Sequence, residues 1–224
     1  MNYSMLKLLI LKDWYLQRWA ILGSIAAGAA ALGISVSAGQ AGLYIGVTLV
    51  VTVLIAIGVM LVMSTIVLER KEQTICFVMS LPISPTEYSV AKLLANLLIF
   101  LVPWTAIVGG SIVLILTRAW LPHGLVPYVS VMSAEILFST CLVCAVALMT
   151  ESQAWTIAAM MVGNLGFNVF AYFVARIHGI AASINGAKVV WSQASVTILM
   201  AEFAAVVALL SLTLWVQSRK TDFI

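Results

Sequence analysis

An all-α polytopic membrane protein with six transmembrane helices is the fold class this sequence predicts, and three observations predict it. Of the 224 residues 63% are hydrophobic and 8% charged, against roughly 25% charged in soluble globular domains. Trp19 to Leu68 and Leu93 to Thr117 carry no charged residue at all. Crossing a hydrocarbon core of about 30 Å takes about 20 apolar residues, so a chain of this length with short connections accommodates six spans. The whole chain, 1–224, reads as a single transmembrane domain with no soluble one.

Taken in order, residues 1–19 interleave Lys7, Lys12, Asp13 and Arg18 with Trp14, Tyr15 and Trp19, the mixture found at headgroup level, and predict an N-terminal interfacial helix. The small-residue ending Val36-Ser37-Ala38 fits a signal-peptide cleavage site, but nineteen residues is long for the basic leader region, so no cleavage is expected. Trp19–Leu68 would be about 75 Å long as one helix and must fold back. Gly39-Gln40-Ala41-Gly42 is its only polar, glycine-flanked break, which gives spans near 20–38 and 43–68. Further spans are expected at about 93–117, 125–149, 154–175 and 194–217. In the first span Gly23, Ala27, Ala31 and Ser35 recur every four residues, a stripe that lets a second helix approach closely.

Between the second and third spans lies an island of charge, Glu69 to Lys92. Pro82 and Pro85 interrupt any continuous helix there, because each removes a backbone donor and disfavours helical geometry in the residue before it. Ser84-Pro85-Thr86-Glu87 reads as a restart, with Ser84 as N-cap, Pro85 at the first helical position and Glu87 completing a capping box. The island is therefore expected to form a short helix from Glu69 to about Ser80, an elbow at 81–84, and a capped helix leading into the membrane.

Orientation follows from Lys and Arg. With the N-terminus inside, Lys7, Lys12, Arg18, Arg70, Lys71, Lys92, Arg219 and Lys220 are cytoplasmic and Arg118, Arg176 and Lys188 are outside, eight against three. Both termini are expected in the cytoplasm. The net charge of +3 reflects this bias and points to no nucleic-acid partner.

Several chemistries are disfavoured by what the chain lacks. No G-x-x-x-x-G-K-[ST] occurs, so the chain supplies no P-loop ATP hydrolysis, and neither H-E-x-x-H nor G-x-S-x-G is present. Cys141 and Cys144 form a C-x-x-C string inside an apolar span, where small buried hydrophobes are the expected role. His123 and His178 lack neighbouring ligands, and no metal site is expected.

Polar residues inside spans stand out. Glu135 in the fourth span and Glu202 in the sixth each carry a cost of about 2.5–3.5 kcal/mol even on the lenient insertion scale. A cation, proton or cationic-substrate contact explains them, and so does a protonated or hydrogen-bonded helix contact, Glu135 to Ser139 or Glu202 to Lys188 or Arg176. Asn164 and Asn168, four apart in the fifth span, share a face with Gly163 and Phe167 nearby; a cargo contact and interhelical hydrogen bonding both fit. The outer segment 176–193 is expected as a loop or a re-entrant element.

Glu69-Arg70-Lys71-Glu72, Thr74, Leu81-Pro82-Ile83-Ser84, Tyr88 and Ala91-Lys92, lying between the second and third of six spans, resemble the permease family of ABC-2-type exporters. That pattern usually has glycine where this chain has Gln73. The resemblance implies the membrane subunit of an ATP-driven exporter in the cytoplasmic membrane of a prokaryote, itself not an enzyme and holding no cofactor, with ATP and magnesium on a partner chain. Two ABC ATPase subunits and a second permease, identical or homologous, are the implied partners. Glu69, Arg70, Lys71, Glu72, Thr74, Pro82 and Ser84 would belong to a cytoplasmic coupling helix and its elbow seated in an ATPase groove, with exposed Glu69 to Glu72 making charge-assisted contacts. Because the second and fifth spans line the path in such permeases, Asn164, Phe167 and Asn168 become candidates for cargo contact, with Glu135 and Glu202 beside them. Two other readings stay open: an ion-coupled secondary carrier using Glu135 and Glu202, and a structural subunit of a larger complex.

The charge bias generates a topology test. Cysteines placed at His123 and Asn185 should react with an impermeant thiol reagent applied to intact cells, and one at Ser152 should react only after permeabilisation. External labelling at Ser152 would invert the orientation.

Overall fold

The structure is a computed structural model that describes residues 3–37, 39–71 and 85–219. Among these every regular element is a helix, and six helices are long and apolar enough to cross a membrane. Helix α1 (Tyr3–Ser37) is followed by α2 (Gly39–Val62), one turn of π-helix (Met63–Val67) and α3 (Leu68–Lys71), the three together forming the second span. Helices α4 (Pro85–Thr117), α5 (Leu125–Thr150), α6 (Gln153–Val174), a short α7 (His178–Ile184) and α8 (Gln193–Ser218) complete the chain.

Helix α1 departs from the expected division into an interfacial helix and a span. Its 35 residues run without a break through position 19, about 52 Å at the usual rise and well beyond a core of about 30 Å. Nothing in 3–19 stops a helix: the segment contains neither proline nor glycine. The turn between the first two spans is tighter than the four residues expected. Gly39 carries it at φ +60, a conformation glycine adopts without steric cost, and Gln40, Ala41 and Gly42 are already helical. Pro85 opens α4, as its place after a serine predicts, and the helix then continues unbroken to Thr117, so residues 85–92 extend the third span. The last three long helices match the expected bounds to within a residue. The short helix expected from Glu69 to Ser80 is described only at Glu69–Lys71, where it continues the second span; Glu72, Thr74, Pro82 and Ser84 lie outside the described residues.

Helices α1, α2 and α4 pack together, α5 packs on α6 and α8, and α4 and α2 join the two groups through α5. Ile21, Leu54, Ile57, Leu61, Ile99, Phe100 and Ile136 fill the first group's core. Val62, Ile66, Leu93, Val143, Cys144 and Leu148 form a second cluster toward the charged end, where both cysteines are buried free thiols. At the other end Val131, Met132 and Val174 receive Ile180 from α7, so the segment between α6 and α8 packs onto the bundle. Gly124 permits this: its N–H donates to the Gly186 carbonyl at 3.0 Å, and a Cβ there would fall 1.7 Å from the Ser183 carbonyl oxygen.

Close approach of α1 and α2 uses half of the small-residue stripe. Ala31 and Ser35 are buried against Gly46 of α2, whereas Gly23 and Ala27 face outward. A Cβ on Gly46 would lie 1.8 Å from Ser35 Oγ and 2.7 Å from the Ala31 carbonyl oxygen, and the latter is backbone that cannot swing away. Gly46→Ala should therefore cost about 1–3 kcal/mol, while Gly23→Ala, with open space around it, should be neutral or stabilising by up to about 1 kcal/mol. Thermal unfolding of the purified variants in detergent checks both signs.

Candidate functional site at the charged end of the bundle

The residues flanking the charged island come together at one end of the bundle. Lys92, one turn beyond Tyr88 on α4, is 1% exposed, and so is Asp13 on α1. Lys92 Nζ lies 2.8 Å from Asp13 Oδ2, 3.1 Å from Oδ1 and 2.7 Å from Glu69 Oε2. Glu69 Oε1 accepts from Lys12 at 2.8 Å, and the Tyr88 hydroxyl donates to Glu69 Oε2 at 3.3 Å. Two ammonium groups thus meet two carboxylates, and the cluster carries no net charge. Neutrality matters because taking a single ion from water costs several kcal/mol that only close, well-bonded partners return.

Neutral hydrogen bonds extend the cluster along the second span. Asn96, one turn after Lys92, donates to the Lys92 carbonyl at 2.9 Å. The Thr65 hydroxyl lies 3.0 Å from Asn96 Oδ1 and 2.7 Å from the Leu61 carbonyl, its one proton serving either acceptor. Gln17 of α1 donates to Ser64 Oγ at 2.8 Å. Both Ser64 and Thr65 sit in the π-helical turn Met63–Val67. A turn of this kind widens the helix and reorients the residues that follow it; here those residues begin Leu68-Glu69-Arg70.

Arg70 makes a separate link. Its Nη1 lies 3.0 Å from Glu151 Oε2 in the two-residue connection between α5 and α6. Glu151 has φ 57 and ψ 13, a left-handed geometry uncommon for any residue but glycine, which ends α5 and lets α6 start at once. Beside this pair a cleft of about 250 Å³ is lined by Arg70, Lys71, Glu151, Ser152, Gln153 and Thr156 together with Ile66, Val67 and Ala147. At the same end Gln217 of α8 donates to the Leu148 carbonyl. The beginning of α1, the end of the second span, the beginning of α4, the α5–α6 connection and the end of α8 therefore share one side.

This arrangement corrects the expectation that Glu69 and Arg70 are exposed. Their side chains are only 12% and 16% exposed, because both carboxylate oxygens of Glu69 and Nη1 of Arg70 meet partners within the chain. Lys71 is exposed as expected. Sequence reasoning also missed Asp13 and Glu151 as participants. Asp13 is the sole acidic residue among the first 68, and an acidic residue beside a long apolar helix is a signal for a buried partner.

The intramembrane candidates divide. Asn164 and Asn168 are both exposed on α6, with Asn168 Nδ2 donating to the Asn164 carbonyl at 2.8 Å. Phe167 does not share that face: it is half-buried and packs on the cores of both helix groups, 100° of helical turn away from Asn168. Ser139 does not bond to Glu135; its hydroxyl instead lies where a Cβ on Gly163 of α6 would come within 2.4 Å. Glu202 does not reach Lys188 or Arg176. It is 7% exposed, and among the described residues no group donates to either of its oxygens. The Arg176 guanidinium lies instead over the Tyr172 ring at 3.8 Å. Among the described residues there is no group of three metal-ligating side chains. No family model, curated protein or solved structure matches the chain.

Lys92 and Lys12 provide an internal comparison. Lys92→Met leaves two carboxylates buried without their common cation and should destabilise the bundle by about 3–5 kcal/mol. Lys12, 42% exposed, bonds one oxygen of Glu69 at the rim, and Lys12→Met should cost at most about 1 kcal/mol. Denaturation in mild detergent should rank the two in that order; equal losses would show that the buried pair has no special weight.

Proposed function

We propose that this chain is the permease subunit of an ATP-driven exporter of the ABC-2 type, working in a cytoplasmic membrane with separate ATPase subunits and a second permease. The observation that carries this reading is the anchoring of the charged island on both flanks. Residues 72–84 connect α3, which ends at Lys71, to α4, which begins at Pro85. On one flank Glu69 and Arg70, and on the other Tyr88 and Lys92, are tied to α1 and to the α5–α6 connection. A segment docked in an ATPase groove would therefore act on three parts of the permease at once. The chain itself has no P-loop, so the hydrolysis must come from elsewhere.

In this mechanism the contacts to the ATPase come from Lys71, Glu72, Thr74 and the elbow at Pro82 and Ser84, whereas Glu69 and Arg70 act through other residues of the chain. ATP free energy enters only as a difference in contact between two states, so the flanking ion pairs need alternative arrangements in the two. The π-helical turn, bonded to both α1 and α4, is where the second span can absorb such a change. The exposed Asn164 and Asn168 face of α6 fits a surface turned toward cargo or toward the second permease, since polar groups are costly against lipid.

Purification from the native membrane in mild detergent should recover the chain with a P-loop ATPase, and reconstitution of the two should stimulate ATP hydrolysis. Glu72→Lys, which reverses a charge at the proposed contact, should weaken the association several-fold while the bundle's melting temperature stays unchanged. Association and stimulated hydrolysis that ignore the substitution would remove the docking assignment.

A further inference from the structure

Glu202 is a buried acid without a donor, and its position relative to Glu135 is set by helix register. Helices α5 and α8 run in the same direction and stay in contact along their length: Val131 and Met132 share a core with Ile198 and Leu199, and Leu148 accepts from Gln217. Those pairings place residue n of α5 beside residue n+67 to n+69 of α8. Glu135 and Glu202 differ by 67, so they sit at one level, and Glu135 lies one turn from Val131 and Met132 on the face that meets α8. Each lies nine or ten residues from the start of its helix, about 14–15 Å along the axis and so about halfway across a core of about 30 Å.

Glu202 also belongs to the narrow stripe by which α8 is held. Ser195, Glu202, Val206, Thr213 and Gln217 are its buried residues, whereas Met200, Phe203 and Val207 are exposed. A side chain in that stripe faces protein, at the level of Glu135. The remaining ionisable groups on the elements packed against α8 are distant in register or face elsewhere. On α5 these are Tyr128 toward one end and Cys141 and Cys144 toward the other. On α4, Glu87, Tyr88 and Lys92 lie at the charged end, and on α7 there is His178 at the outer end. Among the described residues no fixed cation pairs with either acid, and two ionised carboxylates at this depth would each cost several kcal/mol.

We propose that Glu135 and Glu202 form a proton-binding site midway through the membrane, two carboxyl groups on facing helices sharing a proton. One O–H of a protonated carboxyl donates to the other carboxylate, which supplies both the counter-charge and the missing hydrogen bond, as like-charged acids in a common site do. The site is separate from the charged end and independent of the exporter reading, because it needs neither ATPase nor cargo.

Dicyclohexylcarbodiimide, an apolar reagent that attacks protonated carboxyl groups, tests it on the full-length chain in detergent with peptide mapping by mass spectrometry. Glu202 should be modified at mildly acidic pH, and its rate should fall about tenfold for each pH unit on the alkaline limb. A water-soluble carbodiimide should modify the half-exposed Glu151 in preference to Glu202. Glu135→Gln should slow modification of Glu202 by about tenfold on the alkaline limb, whereas Glu135→Asp, which keeps the charge, should slow it less. Three results would overturn the proposal: no modification of Glu202 at any pH, a rate indifferent to Glu135→Gln, or protection by sodium ions at constant pH, which would assign the site to a metal cation. None of these bears on ATPase association, so this site and the exporter reading fail separately.

Discussion

Burial of the Lys92 ammonium between Asp13 and Glu69 is the constraint on which the charged end depends. An ion withdrawn from water in an otherwise apolar bundle tolerates only one arrangement of its neighbours, since any movement of a partner leaves a charge uncompensated. Three helices are fixed by this single atom: α1 through Asp13, the second span through Glu69 and α4 through its own backbone. Apolar packing between these helices is less selective, because in lipid the hydrocarbon tails compete with side chains on nearly equal terms. The ionic cluster therefore supplies register that the leucines and isoleucines of the same helices do not.

A further consequence concerns α1. Its first third carries Lys7, Lys12, Asp13 and Arg18, and composition alone places such a segment along the membrane surface. Pairing of Asp13 with Lys92 keeps α1 alongside α4 at that level, and the unbroken 35 residues of α1 provide the length. The same pairing turns Lys12, the adjacent residue, toward Glu69 at the rim. Tyr15 and Trp19, on other faces, remain exposed with Arg18 stacked over the Tyr15 ring at 4.0 Å.

What the sequence made legible and what it hid divide along one physical line. Charge-free runs and proline or glycine punctuation report on the bilayer and on the backbone, and they located six helices, the start of α4 at Pro85 and the last three spans to within a residue. Side-chain partners are set by tertiary packing between residues far apart in sequence, and no local pattern encodes them. Glu69 and Arg70 looked solvent-facing because they stand in a charged run, yet their partners, Lys92, Lys12 and Glu151, lie 23, 57 and 81 residues away. Phe167 shared a short stretch with Asn164 and Asn168 but not a face, a separation that the 100° helical repeat encodes. The Thr65–Asn96 contact and the π-helical turn beside it leave no trace in hydropathy at all.

The two sets of buried charges in this bundle obey the same electrostatics and reach opposite solutions. At the charged end every buried acid has a cation within 3 Å, so the cluster is complete within the chain and its free energy is available to hold three helices together. At mid-depth Glu202 lies level with Glu135 and has no donor among the described residues, so these residues leave the site incomplete. Stability alone gives no reason to keep such a group, since leucine at 202 would pack in the same stripe without the penalty of burying an unpaired acid. A cost that the fold does not offset internally must be offset by something bound, and a proton is the smallest species that supplies both the charge and the hydrogen bond. The same reasoning separates the two sites: the complete cluster holds three helices in register, and the incomplete one leaves a buried acid in need of a partner.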